Sequence, residues 1–156
     1  MKLFRTNKSK WILTLVAFLL VAVVLISFGV KLSQQEKTVS VNGFNYSIGT
    51  IDSTTGKVAD SKKSIYTKNM GNVDGLEIKV NDDATITYKV AFYDEEKEFI
   101  EMSTASAEDF DVEDLPEGAV YFRVVITPNQ IDGEDVNVSI FNVLHYANML
   151  KITYNK

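Results

Sequence analysis

Two patterns of hydrophobic positions divide the chain. From Trp11 to Val30 the residues are apolar apart from Thr14, Ser27 and a glycine, and none carries a charge. A helix of that length would rise about 30 Å, the thickness of bilayer hydrocarbon, so the run predicts a membrane-spanning anchor over 11–31 that presents Trp11, Leu15, Phe18, Val24 and Phe28 to lipid. Beyond it the period falls to two. Ile86, Tyr88, Val90 and Phe92 alternate with Thr85, Thr87, Lys89 and Ala91, and Val120, Phe122, Val124 and Ile126 alternate with Tyr121, Arg123 and Val125. Strict alternation of this kind predicts half-buried strands, the first set of each pair facing inward.

Shorter segments continue the theme. Val39, Val41, Phe44, Tyr46 and Ile48 predict a strand or strand pair around Gly43. Ser64–Lys68, Leu76–Val80, Phe99–Ile100, Val136–Ile140 and Leu150–Tyr154 predict further strands, the last closing the sheet. Turn clusters stand between them at Asp52–Gly56, Gly71–Gly75, Asn81–Asp83, Asp94–Lys97 and Asp132–Gly133. Residues 103–118 read as a long acidic loop, and only Val143–Met149 suggests a short helix. Many short strands separated by turns predict an all-β, antiparallel sandwich. The organisation expected is a basic segment over 1–10, the anchor, a short stalk over 32–38 and one β domain over 39–156.

Charge orients this arrangement. Lys2, Arg5, Lys8 and Lys10 precede the apolar run and only Lys31 closely follows it. The excess of cations places the N-terminus in the cytoplasm and the C-terminal domain outside. The alternative is a signal peptide that is cleaved to release the domain. That alternative has a run longer than the usual ~7–15 residues and a poor cleavage site at Ser27-Phe28-Gly29. All 21 acidic residues follow position 31, against 11 of the 16 Lys and Arg, so the outer part carries 11 − 21 = −10, twice the whole-chain value of −5. That field disfavours nucleic acid as a partner. The chain has no cysteine, which excludes disulfides and thiolate chemistry.

A set of short motifs carries a resemblance: Gly49-Thr50-Ile51 with Thr55-Gly56, then Thr67, then Phe92-Tyr93-Asp94, Lys97, Phe99-Ile100 and Gly118-Ala119-Val120-Tyr121-Phe122-Arg123-Val124. Over about 43–142 the chain resembles the carbohydrate-binding-module-like jelly-roll domains of Gram-positive surface and phage tail-associated proteins. The resemblance implies a jelly-roll-like sandwich without catalysis, attached to something else. It departs at Ser64 and Tyr66, where such domains tend to carry arginine, and at Glu101–Ser106, where they often carry an aromatic.

Candidate chemistry is sparse. Sugar recognition needs an aromatic face and planar polar groups. Tyr121 and Arg123 point the same way from one strand, with Tyr93 ending its neighbour, which makes these three the candidate ligand site for a cell-envelope glycan. The structural alternative has Tyr121 covering the sheet and Arg123 paired with a carboxylate. The loop with Asp109, Asp111 and Asp114 is the candidate position for a structural calcium ion, against the alternative of solvated acidic turns. His145 is the single histidine, without the partners of a metal or nucleophile site, and the carboxylate clusters lie in polar turns rather than a cleft that would raise a pKa. The expected function is therefore a non-catalytic, membrane-anchored binding module for envelope glycan, with a protein assembly module as the alternative.

Overall fold

The computed structural model describes residues 38–41 and 43–155, with side chains described for 41 and 43–155. The expected anchor, with Trp11, Leu15, Phe18, Val24 and Phe28, and nearly all of the stalk lie outside the described residues. Among the described residues no helix is long and apolar enough to cross a membrane.

The domain is all-β, and every strand pairing is antiparallel. Its backbone is formed by β1 (Thr38–Val41), β2 (Phe44–Ile48), β3 (Thr50–Ile51), β4 (Val58–Ala59), β5 (Ile65–Thr67), β6 (Gly71–Asn72), β7 (Glu77–Val80), β8 (Ile86–Tyr93), β9 (Phe99–Met102), β10 (Tyr121–Pro128), helix α1 (Val143–Ala147) and β11 (Leu150–Thr153). The main sheet runs β1-β2-β5-β10-β8-β9, and β6 continues the β5 side of β10. At its centre β8 and β10 pair along their full lengths, from Tyr121 opposite Tyr93 to Pro128 opposite Ile86.

The two-residue period explains the layers. Ile86, Tyr88, Val90 and Phe92 share the inner face with Phe122, Val124 and Ile126, all essentially inaccessible to solvent. Phe44, Tyr46 and Ile65 extend that face across β2 and β5. Over it pack Ile78 of β7, Leu150 and Ile152 of β11, and Val143, Tyr146 and Ala147 of α1. The aromatic rings interlock. Tyr154 lies 5.2 Å from Phe44 and 5.7 Å from Phe122, with Phe44 and Phe122 themselves 5.7 Å apart. Tilted contacts at this spacing let a positive ring edge meet a negative ring face.

Two expectations are corrected. Val136–Ile140 forms no strand. Asn142 takes the backbone locally, accepting from Ser139 N–H and donating to the Asn137 carbonyl, at 2.7 and 3.1 Å, which diverts those groups from a ladder. Leu150–Tyr154 does not close the main sheet either. β11 pairs with β7 in a separate two-stranded ribbon, from Leu150 opposite Val80 to Thr153 opposite Glu77. The hairpin at Gly43, the strand Ile86–Tyr93 and the short helix stand where the pattern put them.

Removing a ring from the sealed inner face costs transfer energy and leaves a cavity. Phe122→Ala is expected to lower unfolding free energy by about 3–5 kcal/mol. The exposed Phe141 serves as the control, since Phe141→Ala should shift it by less than about 0.5 kcal/mol. Urea denaturation of the two variants checks the contrast.

Candidate functional site

The sequence placed Tyr93, Tyr121 and Arg123 on one outward face, and the sheet does bring them together. Tyr121 sits directly opposite Tyr93 in the β8–β10 pair, and Arg123 opposite Ala91. Much of that face is covered, however. Ile51 of β3, Tyr66, Ala91, Tyr93 and Val125 form a second, smaller core on it, with Met70, Phe99, Met102 and Tyr121 packed around them. The β3–β4 hairpin, missed in the sequence because its strands have two residues each, supplies the cover.

Each predicted site residue is engaged by the chain itself. Tyr93 is buried and its hydroxyl donates to the Gly56 carbonyl at 2.9 Å. Burial raises the Tyr93 phenol above its ordinary value, with the Arg123 guanidinium pulling the other way, so the group is a neutral donor near pH 7. Arg123 donates through Nε to the Thr67 carbonyl at 2.9 Å and through Nη2 to the Lys68 carbonyl at 2.7 Å. Its guanidinium also lies 5.3 Å from the centre of the Tyr66 ring, a stacking distance that suits a planar cation. Tyr121 is half-buried, and the Lys97 ammonium lies 5.5 Å from its ring centre. The expected carboxylate partner of Arg123 is replaced by two backbone carbonyls, which a fork of donors satisfies together.

Thr67 and Gly56 complete the arrangement. Thr67 is fully buried, and its hydroxyl oxygen accepts from Val124 N–H at 3.0 Å, filling a gap in the β5–β10 ladder. Gly56 has φ +66°, and a β-carbon there would stand 2.4 Å from the Phe99 ring. Glycine is required at this position by both conformation and space. The turn before it is held by Asp52, whose Oδ1 accepts from the N–H and hydroxyl groups of Thr54 and Thr55 at 2.8–3.0 Å. These four donors hold the Asp52 carboxyl at about 2. Gly56, Thr67, Tyr93, Phe99 and Arg123 thus meet as a latch between the hairpin and the sheet. Tyr93 and Arg123 still line an open depression of about 380 Å³, together with Gly56, Lys57, Lys97 and Glu98.

The acidic loop is tied down as well. Ser103 and Ser106 continue the pairing of β9 with β8 through Val90 and Tyr88. The Tyr88 hydroxyl donates to the Glu108 carbonyl at 2.9 Å, and burial pushes its phenol up to about 12. Asp109 accepts from Val80 N–H at 2.8 Å, and Asp111 from Glu113 N–H at 3.0 Å, where it caps a 3-10 turn over Val112–Asp114. Asp109, Asp111 and Asp114 do line one depression of about 290 Å³ with Glu101 and Ser103. Among the described residues, however, no three acidic, histidine or cysteine side chains converge closely enough to hold a metal ion. His145 is exposed on α1, its ring 5.1 Å from that of Tyr146.

Comparison with known proteins found no matching family model, no matching curated protein and no matching solved structure.

Two outcomes follow from the latch. Arg123→Ala strips two carbonyls of their donors and should lower stability by about 1–3 kcal/mol, read as a shift in urea midpoint. For Asp52 the depressed value sets the sign. The stability it contributes is complete above the ordinary carboxyl value of 3.8 and is lost as pH falls through about 2. The difference in urea midpoint between the unmodified chain and Asp52→Asn should therefore be constant above that range and shrink across it.

Proposed function

We propose that this protein is a non-catalytic, membrane-anchored module. Residues 11–31 span a cell membrane with the N-terminus in the cytoplasm, and a jelly-roll-like sandwich over 39–156 works outside by contact with another envelope component. The anchor rests on the uncharged twenty-residue run and its cationic flank. Of the two kinds of contact, assembly with an envelope protein is favoured over glycan binding. The observation that carries this choice is the latch. The Tyr93 hydroxyl donates to Gly56, and Arg123, the other group best suited to grip a sugar, directs its Nε and one Nη2 donor to Thr67 and Lys68. A ligand that called on those donors would have to break these bonds before making its own.

Glycan recognition keeps one foothold, the depression lined by Tyr93 and Arg123 with Lys57, Lys97 and Glu98. A structural calcium in the Asp109–Asp114 loop would rigidify the domain without changing either reading. The test is co-sedimentation of the detergent-solubilised full chain with purified cell wall, beside chemical cross-linking in intact cells. The expected result is no co-sedimentation and a discrete cross-linked species larger than the monomer. Wall binding that disappears in Tyr121→Ala would reverse the choice.

A further inference from the structure

The turn that enters α1 exposes an apolar cluster that neither core absorbs. Phe141 is 91% exposed, and Ile140 and Leu144 are each 49% exposed. The turn is well tied. Asn142 accepts from Ser139 N–H, Phe141 N–H donates to the Ser139 hydroxyl at 3.3 Å, and Val143 N–H donates to the Ser139 carbonyl at 3.0 Å. Just behind the cluster, Val143, Tyr146 and Ala147 are locked into the main core. The phenyl ring is thus held outward on a fixed support.

Its position in the fold identifies what it meets. Ser139 lines a depression with Ile48, Asp60 and Lys62. Ile48 directly follows Ser47, the residue opposite Thr38 in the β1–β2 pair. The cluster therefore lies at the end of the hairpin where the chain enters the domain. Only residues 31–37 separate that entry from the apolar run, a reach of at most about 25 Å fully extended. The local charge also differs from the rest of the domain. No Asp or Glu occurs from Val136 to Lys156, although the outer part carries 21. An aromatic-tipped turn with no acid of its own can enter the headgroup region, with Asp60 and Lys62 of the neighbouring depression at the polar level.

We infer that Ile140, Phe141 and Leu144 form a membrane-contact surface that seats this end of the domain in the headgroup–acyl boundary of the bilayer holding its anchor. This rests on the membrane-tethered half of the function proposed above and adds a second point of contact. One tether leaves a domain free to rotate. A tether plus a seated turn fixes which surfaces face away from the lipid.

The full chain carries one tryptophan, Trp11, which makes fluorescence selective. The chain is reconstituted into phosphatidylcholine–phosphatidylglycerol vesicles with lipids brominated high on the acyl chain. Trp11 in the unmodified chain reports the anchor. Phe141→Trp in a Trp11→Phe background reports the turn, and Val112→Trp in the same background reports an exposed apolar site beside Gly75–Glu77, away from the turn. The expected result is blue-shifted emission from Phe141→Trp, quenched roughly twofold or more, with Val112→Trp unaffected. Quenched Trp11 with unquenched Phe141→Trp keeps the tether and overturns the inference, leaving the turn to a protein partner or to solvent. Equal quenching of both reporters overturns it as non-specific adsorption. Unquenched Trp11 removes the tether reading and the inference together.

Discussion

The full-length antiparallel pairing of β8 with β10 is the constraint on which the rest of the domain depends. Eight residues of each strand lie opposite one another without a slip, from Tyr93 and Tyr121 to Ile86 and Pro128. A shift of one residue would exchange the two faces. If β8 slipped, Ile86, Tyr88, Val90 and Phe92 would leave the main core; if β10 slipped, Phe122, Val124 and Ile126 would leave it and the Arg123 fork would turn inward. The sheet built on this pair is covered by the β7–β11 ribbon and α1 on one face and by Ile51 of the β3–β4 hairpin on the other. The domain has no disulfide to close it, so this register and its two cores must hold it together.

The second core changes what the outer face can do. A sheet with one bare face offers aromatic and planar polar groups to a ligand. Here the same groups join parts of the chain. Arg123 bridges β10 to the end of β5, Tyr93 fixes the turn at Gly56, and Thr67 repairs the ladder between β5 and β10. Side chains with the right chemistry for sugar recognition have been drawn into structure, because a partly buried guanidinium is stabilised by the backbone carbonyls that two of its donors reach. That shift favours contact through the outer contour of the fold over a pocket lined by those residues.

Much of this was legible in the sequence, and the failures have local causes. The long alternating strands, the Gly43 hairpin and the Val143 helix follow from periodicity, because burial of one face dominates there. The closed outer face was harder to read. Its signals were Val125, Ala91 and Tyr93, apolar or aromatic residues at outward positions where a solvated face would carry polar ones. Their cover is a hairpin of two-residue strands, too short for any period. At Val136–Ile140 the alternation was real, but Asn142 competed for the backbone and turned the chain out of the sheet. At the acidic loop, the residue types suited calcium, yet Asp109 and Asp111 are occupied by backbone N–H donors and no metal-holding cluster forms among the described residues. Composition shows which groups are present but not which of them the backbone has already claimed.

Tyr93 and Arg123 are held by the chain's own hairpin and loop carbonyls rather than by a ligand. Amide hydrogen exchange on the full chain, with and without saturating cell-wall polymer, tests this most directly. The expected result is slow exchange across Tyr88–Phe92 and Phe122–Ile126, measurable protection at Asp52 and Gly56, whose N–H groups donate to Lys57 and Asp52 carbonyls, and no change on adding polymer. Unprotected amides in the hairpin, with new protection over Tyr121–Val125 when polymer is added, would contradict it.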